Sequence, residues 1–507
     1  MLSKLNSAAT LGLSAILVEV EVDVAAQGLP SITIVGLASK AVDEARERVR
    51  SALKNSSSDF PMSRITINLA PADLPKEGPA YDLPIALGLL LSSGQIEADI
   101  SKSFFFGELS LDGTLRHTKG ALPLTLLAKE QGLKEVFLPA DNALEASIVR
   151  GIDIYPVKNF QSLIAHLTGI RRIEPEPPTD FRSLTKQAIT DFDFADIKGQ
   201  EQAKRALEIA AAGGHNIFMS GTPGAGKTMM ARAFPSILPS LSEAEAIEVT
   251  KIYSITGNIP AGDTIVRQRP FRAPHHTTSR IGLIGGGGKP MPGEISLAHR
   301  GVLFLDEFPE FPRHVLEAIR QPMEDGIVQI SRAAGTMRYP AQFILVAAAN
   351  PCPCGYYGSK KRVCKCLPGA IDRYQKKISG PILDRIDLHI TVPEVAITKL
   401  AAPHRAEPSS AIQARVELAR RLQQRRFKGT RFTCNAELTS RQLKTYAPLA
   451  PDTQKLLTQA ASAMNLSARS YQKVIKIART IADLAGVKEI TSSHIAEALQ
   501  YRPKISD

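Results

Sequence analysis

Apolar and polar positions alternate through Ile16-Leu-Val-Glu-Val-Glu-Val-Asp-Val24, the period-two pattern of a half-buried strand. Further strands are predicted near Arg64 to Leu69 and Glu135 to Leu138, with helices over Ala41 to Lys54 and Ala80 to Ser92, so residues 1–170 read as an α/β domain. Later the apolar runs lose their alternation: Asn216 to Ser220, Gly301 to Leu305, Phe343 to Ala349 and Leu388 to Val392. Short continuous apolar runs are what strands buried on both faces look like, which predicts a parallel sheet in residues 185–395. Charged, proline-rich Arg171 to Asp180 interrupts the pattern and marks a linker over 171–184. Pro393 to Pro408 is a second irregular connection. Helical periodicity over Ala411 to Phe427 and Ala450 to Tyr501 then predicts an α-helical domain over 396–507.

Each buried run ends in residues that carry chemistry. After the first come Gly221, Thr222, Pro223, Gly224, Ala225, Gly226, Lys227 and Thr228, which fill every position of the phosphate-binding loop G-x-x-x-x-G-K-[ST] between a strand and a helix. Glycines let backbone N–H groups turn toward phosphate oxygens, Lys227 brings a point charge, and the Thr228 hydroxyl can hold Mg²⁺. The expected ligands are therefore ATP and Mg²⁺. The second run ends in Asp306 and Glu307; Asp306 can complete the Mg²⁺ shell and Glu307 can polarise a water for attack on the γ-phosphate. As an isolated pair they would equally suit a helix N-cap. The third ends in Asn350, an amide placed to orient that water. Arg385, between Asp384 and Asp387 just before the fourth run, can reach a neighbouring subunit's phosphate or form a local salt bridge.

Cysteine usage adds a second kind of site. Four of the five cysteines form two Cys-x-Cys pairs, Cys352 with Cys354 and Cys364 with Cys366, within one loop over 352–366. Four thiolates suit tetrahedral Zn²⁺, while reduced or redox-active thiols are the alternative. His275 and His276 read as hydrogen-bonding residues rather than metal ligands. With 62 Lys and Arg against 50 Asp and Glu, the chain is basic, which fits an anionic polymer partner without requiring one. Basic residues fall in two insertions of the core. Thr277 to Pro292, holding Arg280 and Lys289, reads as a mobile glycine-rich loop, and Val328 to Tyr339, holding Arg332 and Arg338, reads as a hairpin with Gly335 in its turn. Five arginines between Arg415 and Arg426 suit either a phosphate backbone or an ordinary solvated face. No apolar stretch reaches the roughly eighteen residues of a membrane helix. Lys4, Glu19, Glu21 and Asp23 break any signal-peptide pattern, so a cytoplasmic protein is expected.

These residues in this order carry a resemblance. Gly213-Gly-His-Asn216, the phosphate loop, Phe271-Arg-Ala-Pro-His-His-Thr-Thr278, Gly285 to Gly288, Pro292 to His299, Asp306-Glu307 and Arg320-Gln-Pro-Met-Glu-Asp-Gly326 resemble a magnesium-chelatase-like AAA+ ATPase module, and the whole chain resembles the ComM family of bacterial DNA branch-migration helicases. The resemblance implies a C-terminal helical lid, Arg385 as arginine finger, Arg469 as the second sensor arginine, and a homo-hexameric ring. It also implies action on single-stranded or branched DNA during natural transformation, through pore-directed insertions bearing Arg280, Lys289, Arg332 and Arg338. Pro75 to Pro84 and Gly107 to Gly113 resemble the Lon-protease-like (S5 domain 2-like) fold, with Ala80 and Leu122 where that family has its serine and lysine, so no peptide hydrolysis is expected. A metal-inserting chelatase motor and a protein-remodelling ATPase are the competing expectations.

Overall fold

In the computed structural model the alternating run becomes the strand Ser14–Val24, with Val18, Val20 and Val22 fully buried and Glu19 and Glu21 turned outward to Lys4 Nζ at 2.8 and 2.7 Å. The structure describes all residues except 1, 27–28, 38–39, 77, 182–191, 260–264, 289, 333–334, 360, 396–405 and 504–507. They fall into two units, residues 1–186 with 243–267, and residues 187–242 with 268–507. The helix Glu243–Thr256 lies within the stretch that reads as one ATPase core, yet it belongs to the first unit.

The first unit is built on a mixed sheet in the spatial order Ser31–Val35, Arg64–Ala70, Ser14–Val24, Leu2–Leu11, Ser103–Phe105, Glu135–Pro139, Asp153–Val157. Ser14–Val24 runs antiparallel to both of its neighbours, and the other pairings are parallel. The helical stretch expected over 41–54 forms as Lys40–Asp43 and Ala45–Asn55. The helix Asp82–Ser92 is buried almost all round against this sheet. Its Gly88 permits the approach, since a Cβ there would lie 2.6 Å from Val22 Cγ2. Asp82 at its start is fully buried and accepts from Arg48 Nε and Nη2 at 2.7 and 3.0 Å. Burial pushes its carboxyl up to about 6 against the pull of Arg48.

In the second unit five parallel strands lie in the order Phe271–Arg272, Val302–Leu305, Ile344–Ala349, Ile217–Gly221, Leu388–Val392. Every residue of Val302–Leu305 and Ile344–Ala349 is buried, which is why their sequences show no alternation. The C-terminal helices do not stand apart from this sheet. Ile217, Val346 and Ile390 share one core with Leu207 of the helix Glu201–Gly213, Val416 of Ser409–Arg426, and Val474, Ile477 and Ile481 of Ala468–Leu484.

The expected mobile loop at 277–292 is instead locally structured. Ser279 Oγ accepts from Gly282 N at 3.1 Å to start the helix Arg280–Ile284, and Gly285–Gly286 then pairs with Met291–Pro292. A Cβ on Gly285 would lie 2.4 Å from Met291 O, so glycine there serves close backbone contact. The hairpin forms from Ile327–Arg332 and Gly335–Pro340, with Gly335 opposite Arg332 rather than within the turn.

A buried carboxylate joins the helices to the sheet. Asp387 lies 3.1 Å from Lys473 Nζ and 3.5 Å from His215 Nδ1, accepts from Asn216 N at 3.2 Å, and offers its own carbonyl to Arg502 Nη1 at 2.9 Å. Burial opposes its ionisation, but Lys473, His215 and Lys476 outweigh that and hold the carboxyl well below the usual carboxylate range. Asp387→Ala would leave Lys473 uncompensated in a buried place and is expected to cost roughly 3–5 kcal/mol, read as a lower urea midpoint by far-ultraviolet circular dichroism. Because the folded carboxyl titrates below its unfolded value of about 3.9, the wild type keeps this contribution above that pH and loses it as pH falls further. An unchanged midpoint in the variant would show that the network adds nothing to stability.

Candidate active site

The phosphate loop leaves the strand Ile217–Gly221 and enters the helix Lys227–Ala233. Gly224 and Gly226 have φ of 75° and 91°, the left-handed region, and a Cβ on either would meet nothing within 4 Å. Open space over a glycine backbone is what a polyphosphate lying against that backbone needs. Lys227 is buried, and its Nζ donates to Gly221 O at 2.5 Å, Thr222 O at 3.0 Å and Asn350 Oδ1 at 3.1 Å. Burial lowers the pKa of this ammonium, and Asp306 acts in the opposite direction. The groups holding Lys227 are neutral oxygens, so its charge is available to an anion.

The acids stand beside this loop. Thr228 Oγ1 donates to Asp306 Oδ2 at 2.7 Å, which brings an alcohol and a carboxylate oxygen to one point. Two hard oxygen donors with room for water fit Mg²⁺, an ion that keeps most of its hydration shell. Asp306 Oδ1 also accepts from Glu307 N at 2.9 Å. Glu307 itself has φ 49°, uncommon for a residue with a side chain, and its carboxylate is exposed and lies 3.2 Å from His276 Nδ1. Its strand ends before it, so the pair is not an extension of the sheet. His276 therefore meets the catalytic candidate, and the neighbouring His275 ring lies 4.0 Å away from it.

A cavity of about 470 Å³ opens alongside, lined by Ile197, Gln200, Gly224–Gly226, Met229 and Met230, and on another side by Tyr356, Lys361 and Arg362. Gln200 ties two of its walls together, donating to Ala225 O at 3.1 Å and Pro393 O at 2.6 Å. Apart from Gly224–Gly226 of the phosphate loop, none of the lining residues named carries a spacing signal in the sequence. Cys352, Cys354, Cys364 and Cys366 present their sulfurs within 4.8 Å of one another, a cluster able to hold a metal ion. Cys434, the fifth, is buried elsewhere.

Arg385 and Arg469 meet each other's partner rather than the phosphate loop. Glu324, in the helix Arg313–Asp325, takes Arg385 Nη2 at 2.7 Å and Arg469 Nη2 at 3.1 Å. The local alternative fails for Arg385, since Asp384 accepts instead from Ser467 Oγ at 3.2 Å and Asp387 faces Lys473. Glu324 was hidden in the sequence because it lies far from both arginines along the chain. Of the basic candidates, Arg280 and Arg338 are exposed, Arg332 ends its hairpin strand opposite Gly335, and Lys289 lies outside the described residues. The arginine-rich helix resolves mostly inward: Arg415 pairs with Glu208 and Glu407, Arg420 donates to Ala211 O and Thr433 O, and Arg426 pairs with Asp483.

Family profiles described as "Magnesium chelatase, subunit ChlI", "Subunit ChlI of Mg-chelatase" and "Magnesium chelatase, subunit ChlI C-terminal" match residues 193–400, 20–142 and 406–502. "Uncharacterized protein YifB" of Escherichia coli (strain K12) is 43% identical over 99% of this chain and 97% of its own length. "Competence protein ComM" of Haemophilus influenzae is 43% identical over 98% of this chain and 97% of its own. The "Magnesium-chelatase 38 kDa subunit" of Rhodobacter capsulatus is 29% identical over a shorter stretch, 32% of this chain and 50% of that protein. No helix among the described residues is long and apolar enough to cross a membrane. The chain belongs to the YifB/ComM family of magnesium-chelatase-like AAA+ proteins.

Proposed function

We propose that this protein hydrolyses ATP to drive movement along DNA, as a hexameric branch-migration helicase acting on recombination intermediates in the cytoplasm. The observation that carries the ATPase part is the convergence of Lys227, Thr228, Asp306, Glu307 and Asn350 on one end of the parallel sheet. Lys227 releases its carbonyl partners to meet the β/γ oxygens, and Thr228 with Asp306 would hold Mg²⁺, which would supply neutralisation of phosphate charge. Glu307 takes the proton of the attacking water once it leaves His276, and Asn350 orients that water. Arg385, held by Glu324 within its own subunit, serves as an arginine finger on the adjoining subunit's ATP, and Arg469 acts as the second sensor from a helical lid.

The DNA part rests on the basic balance, on exposed Arg280 and Arg338 in the two insertions, and on similarity to a relative named a competence protein. Arg332 and Lys289 complete this candidate set. We read the first unit as a Lon-protease-like scaffold without nucleophile and base, and the four-cysteine cluster as a Zn²⁺ site. Chelatase family similarity keeps one second reading, a metal-insertion motor that answers to a chelatase partner subunit, and a remodelling ATPase would answer to a protein client.

Steady-state ATP hydrolysis with and without a synthetic four-way junction, with the labelled strands followed in the same reaction, separates these readings. Junction DNA is expected to raise turnover and exchange strands; stimulation by a chelatase partner or a protein client instead would reject the DNA motor. Lys227→Ala is expected to lose nucleotide binding, whereas Glu307→Gln keeps it and loses roughly a hundredfold or more in turnover. Native turnover in the glutamine variant would remove Glu307 from the mechanism. Mixing Lys227→Ala with Arg385→Ala protein is expected to restore measurable hydrolysis, because some interfaces then pair an intact loop with an intact finger. Arg338→Ala is expected to weaken DNA binding and lower its salt dependence by about one charge; an unaltered salt slope would take Arg338 off the DNA path.

A further inference from the structure

The segment after Asn350 has little in its own sequence to order it. The described residues of 351–367 form no helix or strand, and its apolar side chains do not anchor it, since Val363 is 88% and Leu367 77% exposed. Irregular loops of this length are uncommon in compact folds and are usually functional. Two features hold this one in place.

The first is the cysteine cluster. Sγ–Sγ distances are 3.4 Å for Cys352–Cys354, 3.7 Å for Cys352–Cys364 and 3.5 Å for Cys354–Cys364. Thiolates at about 2.3 Å around a tetrahedral zinc stand roughly 3.8 Å apart, so little movement is needed to close the set. Backbone amides already point at the sulfurs, Tyr357 N to Cys352 at 3.3 Å and Cys366 N to Cys364 at 3.5 Å. Such donors are the usual outer support of a thiolate centre. No disulfide competes for these residues.

The second is contact with the phosphate loop. Gly355 has φ 83°, and a Cβ on it would lie 2.6 Å from Pro223 Cδ, so the cysteine loop rests directly on the phosphate loop. Beyond Gly355, Tyr356, Lys361 and Arg362 form one wall of the 470 Å³ cavity. Arg362 Nη1 donates to Tyr356 Oη at 2.8 Å with its guanidinium 5.1 Å from the ring centre, and Ser359 Oγ donates to Glu394 at 2.8 Å. The wall residues therefore lie between the two Cys-x-Cys pairs along the chain.

We propose that the four cysteines bind one zinc ion and that this ion closes the nucleotide pocket, so that metal loading sets the affinity for ATP. The proposal rests on reading the cavity as the nucleotide site. With the ion bound, both ends of segment 352–366 are drawn to one point and Tyr356 and Arg362 are held over the cavity; removing it takes away that fastening of the wall.

The test uses the full-length protein with a fluorescent ATP analogue, at constant Mg²⁺, in zinc-replete form, after a zinc-selective chelator, and after zinc is restored. About one zinc per chain is expected, with Kd for the analogue raised by about tenfold or more on stripping and recovered on restoration. Arg362→Ala is expected to weaken binding while retaining zinc, which locates the effect in the wall even if Cys364→Ser fails to fold. Protein purified without chelator that holds no zinc, or stripped protein that binds with native affinity, overturns the proposal. Native affinity in Lys227→Ala would instead reject the nucleotide reading of the cavity itself.

Discussion

The chemistry of the second unit depends on five strands running parallel with Ile217–Gly221 between Ile344–Ala349 and Leu388–Val392. Parallel strands end at a common edge, so the segments that follow them are brought together whatever their separation along the chain. Ser220 lies opposite both Ala349 and Thr391, and within a few residues of that row come Lys227, Asn350 and Glu394. A slip of one residue would shift Asn350 by about 3.3 Å and carry it out of reach of Lys227. Register is protected because every residue of the strand before Asn350 is buried.

A chain with a net charge of +12 still spends much of its positive charge internally. Arg426 and Arg479 share Asp483, Arg415 bridges Glu208 and Glu407, and Lys473 sits on Asp387. These pairs join the C-terminal helices to one another and to the sheet, and removing the partner of Asp483, Asp387 or Glu208 would strand a carboxylate away from water. Charge counting therefore overstates the surface available to a polyanion. The exposed Arg280 and Arg338 are better candidates than the arginine-rich helix, because no acid has claimed them among the described ion pairs.

Glu324 and His276 show a related economy of placement. One carboxylate gathers Arg385 and Arg469, and one imidazole meets Glu307, so each of these candidate residues already has a partner within the chain.

Local sequence alone was enough for Ser14–Val24, Arg64–Ala70, Glu135–Pro139 and four of the five parallel strands, for the phosphate-loop motif and for the Asp306–Glu307 pair, because burial forces apolar runs and the motif sets glycines at fixed offsets; it left Leu2–Leu11, Ser31–Val35, Ser103–Phe105, Asp153–Val157 and Phe271–Arg272 unmarked. It was enough too for the cysteine cluster, whose members sit within one loop. Tertiary structure alone decided that Thr228 meets Asp306, that Glu324 collects two arginines, that Tyr356 and Arg362 wall the cavity, and that the glycine-rich insertion is structured. It also placed Glu243–Thr256 in the first unit. The Thr228–Asp306 and Glu324 pairings join residues tens of positions or more apart, and a side chain's partner across such a distance is set by strand order and helix packing, which leave no periodic mark on either local sequence.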